Sequence, residues 1–216
     1  MLLEQAFESL QKLRGIPFKE IFNKEQLDGI IRAKGKSGQI IEIAIGLNNT
    51  NSALDFENGE LKTNKCNSLG KPLETMFITQ ISIMIDELLN EKRFEETKLY
   101  KKISNLLYVP ICKDGQPEEW YIIDAIHIDL KSDKYSDVMN QLKEDYYSIC
   151  RQLREHIETS EDGFIHTSNG KYIQIRSKDS KPYFPIYSHG YGKYVSNKNH
   201  AFYFKRDFMK YILEDK

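Results

Sequence analysis

The chain has 216 residues, 40% of them hydrophobic and 29% charged, enough for a sizeable core in one domain or in one domain of two lobes. Its formal net charge of −1 creates no whole-protein field that would announce a polyanion partner. No apolar run approaches the roughly 20 residues that cross a bilayer, no basic-then-apolar leader opens the chain, and Cys66, Cys112 and Cys150 are an odd set without a CxxC pair, so the expectation is a soluble cytoplasmic protein with reduced thiols.

In chain order, Leu2, Leu3, Ala6, Phe7, Leu10 and Leu13 recur at helical spacing, with Gly15 and Pro17 closing that helix. A short amphipathic piece follows over Lys19 to Phe22. The isoleucines of Gln39 to Leu47 favour a strand by propensity. Gly59 predicts a turn, and Glu60-Leu-Lys-Thr63 a short strand. Thr75 to Ile83 reads as a continuation of that sheet, and Asp86 to Lys102 as partly helical. Leu106 to Cys112 and Trp120 to Ile128 read as an antiparallel pair around a Lys-Asp-Gly-Gln-Pro turn. Ser136 to Ile157 carries Val138, Leu142, Tyr146, Ile149, Leu153 and Ile157 at steps of three or four, a long amphipathic helix. Phe164 to Thr167 and Tyr172 to Arg176 flank Asn169-Gly170, a hairpin signal. A strand over Phe202 to Lys205 and a helix from Asp207 to Leu213, capped by Asp207, end the chain. The class is α/β with a mixed sheet.

The densest chemistry lies in Asp55-Phe-Glu-Asn-Gly-Glu-Leu-Lys62. Residues two apart in a strand share a face, so Glu60 and Lys62 project together while Leu61 turns to the core. An acid in the turn beside a Glu/Lys pair suits metal-assisted phosphodiester cleavage. Carboxylate oxygens hold a divalent cation, and an ammonium lies near the attacking water. Taken alone, Asp-x4-Glu-x-Lys is also compatible with a solvated turn and an ion pair on an edge strand.

The surrounding blocks are more specific. Glu60-Leu-Lys-Thr-Asn-Lys-Cys-Asn-Ser-Leu-Gly-Lys-Pro-Leu-Glu-Thr-Met-Phe77 resembles the MutH family of mismatch-repair endonucleases, as do Arg32-Ala-Lys-Gly-Lys-Ser-Gly-Gln-Ile-Ile-Glu42, Gly170-Lys-Tyr-Ile-Gln-Ile-Arg-Ser-Lys178 and Ala201-Phe-Tyr-Phe-Lys-Arg-Asp-Phe208. The blocks occur in the family's order along nearly the whole chain. The resemblance implies a PD-(D/E)xK restriction-endonuclease-like fold, with a mixed sheet flanked by helices and two lobes around a DNA cleft. It implies one endonuclease domain over residues 1–216, with a catalytic lobe at roughly 1–105 and a lobe at roughly 106–216 that carries the recognition loop. It also implies that Gln39 to Leu47 is a helix bringing Glu42 beside the catalytic strand.

Residue by residue, the resemblance assigns Asp55, Glu60 and Glu42 to a magnesium ion, for which manganese or calcium substitutes in binding. Lys62 is assigned to the nucleophilic water. Four residues separate Asp55 from Glu60 where the family has six, which leaves Asp55 and Glu57 as alternatives for the turn ligand. Arg176 matches an arginine that reads a base, Tyr203 an aromatic near the adenine, and Lys34 and Lys178 lysines at the DNA interface. Lys102, with Lys101 as its alternative, matches a lysine near the phosphate. The segment from Gly170 to Lys216 carries ten Lys/Arg against four Asp/Glu, with interleaved aromatics suited to a nucleic-acid surface. Its long stretch from Ser177 to Asn199 is expected to order on DNA. None of the five histidines has metal-ligand spacing.

The implied function is magnesium-dependent cleavage of double-stranded DNA at GATC, by a chain that is a monomer when free. Two roles fit: a mismatch-repair nickase with a MutL-like activator, or a small type II restriction enzyme with a companion methyltransferase. A catalytically dead DNA-binding module is the reading from another class, and the presence of Asp55, Glu60 and Lys62 together weighs against it.

Overall fold

A computed structural model describes residues 1–32, 37–47, 54–178 and 181–214. In chain order these form α1 (Leu3–Gln11), α2 (Phe18–Ile21), α3 (Lys24–Arg32), α4 (Ser37–Ala44), β1 (Glu60–Cys66), β2 (Met76–Gln80), α5 (Ile85–Leu89), α6 (Lys98–Ile103) and β3 (Asn105–Cys112). There follow β4 (Tyr121–Ile122), β5 (Ile126–Asp129), α7 (Ser136–Thr159), β6 (Ser168–Asn169), β7 (Ile173–Ser177), β8 (Ile186–Ser188), β9 (Lys193–Ser196), β10 (His200–Phe204) and α8 (Arg206–Glu214). The mixed α/β class is as the sequence predicts. None of the described helices is long and apolar enough to cross a membrane.

The chain separates into two compact units, Met1–Glu74 with Ile103–Asp129, and Thr75–Lys102 with Leu130–Lys216. This differs from the expected single boundary near residue 105. The physical reason is strand pairing: β3 pairs with β1 in the first unit, whereas β2 pairs with β10 in the second. Thr75 to Ile83 therefore does not extend the sheet of β1. Local propensity identifies the strand but carries no information about its partner.

In the first unit, β1 and β3 run parallel in register from Glu60↔Leu106 to Cys66↔Cys112, and β4 and β5 both pair antiparallel with β3. The expected strand over Trp120 to Ile128 is thus two short strands. Leu61 of β1 and Leu107, Val109 and Ile111 of β3 enter one apolar cluster with Leu3, Ala6 and Leu10 of α1 and Ile40 and Ile41 of α4. Helix α3, which periodicity did not single out, is opened by a reciprocal cap. The Gln26 amide donates to Asn23 Oδ1 at 3.0 Å, and the Asn23 amide donates to Gln26 Oε1 at 2.9 Å.

In the second unit the sheet order is β2-β10-β7-β6, antiparallel throughout. Residues directly opposite in antiparallel strands share a face. One face presents Ile173, Ile175, Phe202 and Phe204, all fully buried, and α7 contacts β6 and β7. The Phe204 and Phe208 rings stack at 4.2 Å, joining α8 to this side. The other face carries Gln174 and Arg176 of β7, Ala201 and Tyr203 of β10, and Phe77 and Gln80 of β2. Between Phe202 and Tyr203 the pairing with β2 skips Ile78, a β-bulge.

The hairpin forms, but its turn lies at Lys171-Tyr172, beyond a Gly170 amide that donates to the Ile173 carbonyl oxygen at 2.9 Å, rather than at Asn169-Gly170. Strands β6 and β7 close at Asn169↔Gln174, and the turn between them is held by buried Asp145 of α7. That carboxylate accepts the amides of Lys171, Tyr172 and Ile173 at 2.8, 2.6 and 3.1 Å. A Cβ on Gly170 would overlap the same carboxylate. The stretch between Ser177 and Asn199, expected to order on DNA, already contains the hairpin β8–β9. Asp86 of α5 pins its turn by accepting from Ser188 Oγ at 2.6 Å and from the amides of His189 and Gly190 at 3.1 and 3.3 Å. Asp207 lies within the first turn of α8 rather than capping it.

Candidate active site and nucleic-acid interface

Three of the predicted catalytic residues meet at the start of β1. Gly59 makes this approach possible: a Cβ there would lie 2.5 Å from Leu3 Cδ1 and 2.8 Å from the Asn105 carbonyl oxygen. Only glycine lets the chain pass between α1 and β3 and deliver Glu60 into the sheet. Asp55 Oδ2 then accepts the Leu61 amide at 2.9 Å, which ties the preceding bend to the strand. Glu60 and Lys62 share a face, as alternation requires, and Lys62 Nζ donates to Glu60 Oε1 at 2.8 Å. Both side chains are largely withdrawn from solvent, 4% exposed for Glu60 and 12% for Lys62. A nearly buried ion pair is costly to assemble, so its presence at the head of a strand is better explained by chemistry than by stability.

Glu42 comes from α4, which is a helix as the family resemblance implied and which packs against β1. Burial, and then the neighbouring charge of Asp55, push its carboxyl above the ordinary carboxylate range; Lys62 pulls the other way, and Glu60 adds to the rise. Glu42 is thus in electrostatic reach of all three other catalytic candidates. Glu57, the alternative turn acid, is exposed and pairs with the Met1 amino group at 2.7 Å. Three carboxylates and one ammonium leave a net negative cluster of hard oxygen donors, the donor chemistry that a divalent cation of the magnesium type takes. Among the described residues no three His, Cys, Asp or Glu side chains are grouped as a metal ion would need them, and Glu60 is engaged by Lys62. The set thus matches such a cation in donor type and charge, while its side chains are not drawn together as ligands.

The recognition candidates lie in the second unit. The Arg176 guanidinium carbon sits 4.2 Å from the centre of the Tyr203 ring, and Lys178 Nζ is 5.3 Å from that of Phe77. Phe77 meets Tyr203 edge-on at 5.7 Å. Two cations and two aromatic rings thus form one continuous patch on the open sheet face, with Arg176 and Phe77 exposed. Phe77 was part of a sequence block but was not singled out. It joins the patch because the bulge at Ile78 turns it to the side of Tyr203. Lys102 is half-buried in the last turn of α6, and its alternative Lys101 is exposed. Lys34 lies outside the described residues.

The family model described as "DNA mismatch repair enzyme MutH" matches residues 46–145. That span includes Asp55, Glu60, Lys62, Phe77 and Lys102, and ends before β7 and β10. Proteins named "DNA mismatch repair protein MutH" extend the likeness. The one from Buchnera aphidicola subsp. Baizongia pistaciae is 26% identical over 210 residues, covering 93% of this chain and 91% of that protein. That of Shigella flexneri serotype 5b is 26% identical over 220 residues, covering 97% and 91%. That of Escherichia coli O6:K15:H31 is 25% identical over 217 residues, with the same two coverages. Nearly end-to-end similarity, a family model that matches across β1 and a mixed α/β fold agree, and over nearly its whole length this chain is similar to the MutH-type nucleases.

Proposed function

We propose that the chain is a magnesium-dependent DNA endonuclease of mismatch repair that cuts phosphodiester bonds at GATC. The observation that carries the reading is that Glu42 from a helix, Asp55 from a bend and Glu60 and Lys62 from a strand lie in electrostatic or hydrogen-bond reach of one another at the head of β1. Glu42, Asp55 and Glu60 would hold the cation, which when bound supplies Lewis-acid activation of water and neutralises charge on the phosphate. Lys62 orients the attacking oxygen and stabilises the negative charge that develops at phosphorus, as a fixed hydrogen-bond donor.

Arg176 reads guanine through O6 and N7, for which a planar guanidinium is suited. Stacking on Tyr203 holds that plane in place before DNA arrives. Lys178 and Lys102 supply charge to the backbone, which strengthens binding without reading sequence. The names of the similar proteins support repair rather than restriction.

The test is cleavage of unmethylated, hemimethylated and fully methylated GATC duplexes with magnesium, alone and with an ATP-dependent activator of the MutL kind. A repair nickase is slow alone, is stimulated by the activator and nicks the unmethylated strand. Vigorous cutting of both strands of unmethylated GATC without a partner would make the chain a restriction enzyme, and failure to cut any duplex would reject the endonuclease reading.

A further inference from the structure

The open face of the β2-β10-β7 sheet carries a polar device beyond Arg176 and Tyr203. Gln80 and Arg176 both stand opposite Ala201, one on each flank of β10. All three residues therefore share one face, and Ala201, small and fully buried, lies between the two long side chains. Strands are spaced about 4.8 Å apart, which puts the bases of the two long side chains about 10 Å apart.

The Gln80 amide does not hang freely. Asn199, the residue before β10, donates from Nδ2 to Gln80 Oε1 at 2.7 Å. Asn199 is itself 6% exposed and is fixed through its backbone, since its carbonyl oxygen accepts the Lys178 amide at 2.8 Å. Its own side-chain oxygen, Oδ1, is buried and has no hydrogen-bond partner. A buried amide oxygen without a donor is uncommon and destabilising. Gln80, Asn199 and Lys178 line one cavity of about 80 Å³ together with Lys181, Pro182 and Phe184. The volume admits an amino group.

We propose that Gln80 is a specificity-determining residue that reads the major-groove edge of an adenine, and that Asn199 is the positioning residue that fixes its amide. Adenine presents an amino donor, N6, beside an acceptor, N7, and a glutamine amide matches both with its oxygen and nitrogen. The bond from Asn199 assigns which end of the Gln80 amide is oxygen. The second lone pair of that oxygen and the vacant Asn199 Oδ1 are the acceptors for the amino group, and Gln80 Nε2 is the donor for N7. Cytosine offers an amino group but no adjacent acceptor and would satisfy only half of the pair.

This inference rests on the endonuclease reading, and the experiment separates the two. Binding is measured in calcium, by fluorescence anisotropy, on short duplexes carrying GATC, each single-base change of it, and an unrelated sequence. The wild-type protein should prefer GATC. Gln80→Ala should lose about 10- to 100-fold of discrimination at the adenine position only, with affinity for the unrelated duplex and the melting temperature unchanged. Asn199→Asp replaces the donor with an acceptor, so the Gln80 amide turns over and presents its oxygen where N7 lies. This variant should likewise lose preference for adenine while keeping that for guanine. If the wild type discriminates and Gln80→Ala discriminates equally well, the inference fails and the endonuclease reading stands. A loss that falls on cytosine or evenly on all positions also overturns it. A wild type that binds no duplex removes both.

Discussion

Lys62 and Glu60 hold one another at 2.8 Å while Glu42 bears a carboxyl lifted by burial and by Asp55, so each acid at the head of β1 is under a different constraint and each substitution should fail differently. Asp55→Ala and Glu60→Ala should each lower cleavage at least about 100-fold, while DNA affinity holds or rises because an anion near phosphate is removed. Cleavage at the wild-type rate by either variant would displace the metal assignment. Lys62→Ala should be as inactive yet retain metal affinity, measured by calorimetry with magnesium or manganese. Glu42→Gln removes a charge that the fold tolerates poorly, and should raise the melting temperature at neutral pH while abolishing cleavage. A variant that melts lower would mean that Glu42 is stabilising where it stands. Asp55, Glu60 and Lys62 were legible in the sequence because they lie within eight residues of one another and obey strand parity. Glu42 was not: its own segment reads as a strand by propensity, and only the family likeness and the packing of α4 on β1 bring it to the site. Phe77, Gln80 and Asn199 escaped because they come from separate segments that pairing alone brings together.

Among the elements of the second unit, two hairpins are each fastened by one aspartate from a helix. Asp145 accepts three successive amides at the β6–β7 turn and so fixes the strand that carries Arg176. Asp145→Ala would strand those donors in the interior and should cost on the order of 3 kcal/mol, read from urea unfolding, with specific DNA binding lost in parallel. Asp86 does the same for the β8–β9 turn. Burial alone would raise its carboxyl, but the bonds from Ser188, Gly190 and His189 outweigh this and its pKa falls below the ordinary 3.8. A carboxyl depressed in the folded state contributes stability that is fully present above the ordinary value and is lost as pH falls through the lowered one. Amide exchange at His189 and Gly190 should therefore stay slow at neutral pH and accelerate only in strong acid, whereas Asp86→Asn should make it fast already at neutral pH. Equal protection in both proteins would detach the carboxylate from the turn. Sequence reading found the Asn169-Gly170 hairpin by turn chemistry but not what holds it, since the anchoring carboxylate sits 24 residues before Asn169, on a helix whose exposed-looking acids all read alike.

At the scale of the whole chain, the backbone passes between the two compact units three times, after Glu74, Lys102 and Asp129. The long helix α7, the strand β1 and the final strand-helix pair were all visible as local periodicities, and the order of elements followed from them. Which strand pairs with which was not visible, because parallel pairing of β1 with β3 spans some forty residues and leaves no local mark. The division has a consequence for dissection. A fragment of residues 1–102 contains every catalytic candidate in the first unit yet lacks β3, the strand that supports β1 from Glu60 to Cys66. It should show little native circular dichroism or chemical-shift dispersion and no cleavage, and a folded, active fragment would contradict the strand order.

The bulge at Ile78 sets an arithmetic on β2. Phe77 and Gln80 are three residues apart, an odd number, and in a regular strand they would project to opposite sides. The skipped residue restores even parity, so both stand with Tyr203 and Arg176 while Met76 and Thr79 turn inward. Such a strand can vary in the identity of its side chains but not in their number. Deleting Ile78 alone would send the Phe77 ring into the interior and bring Met76 out onto the face assigned to DNA, so the insertion is what keeps the reading surface and the core from changing places.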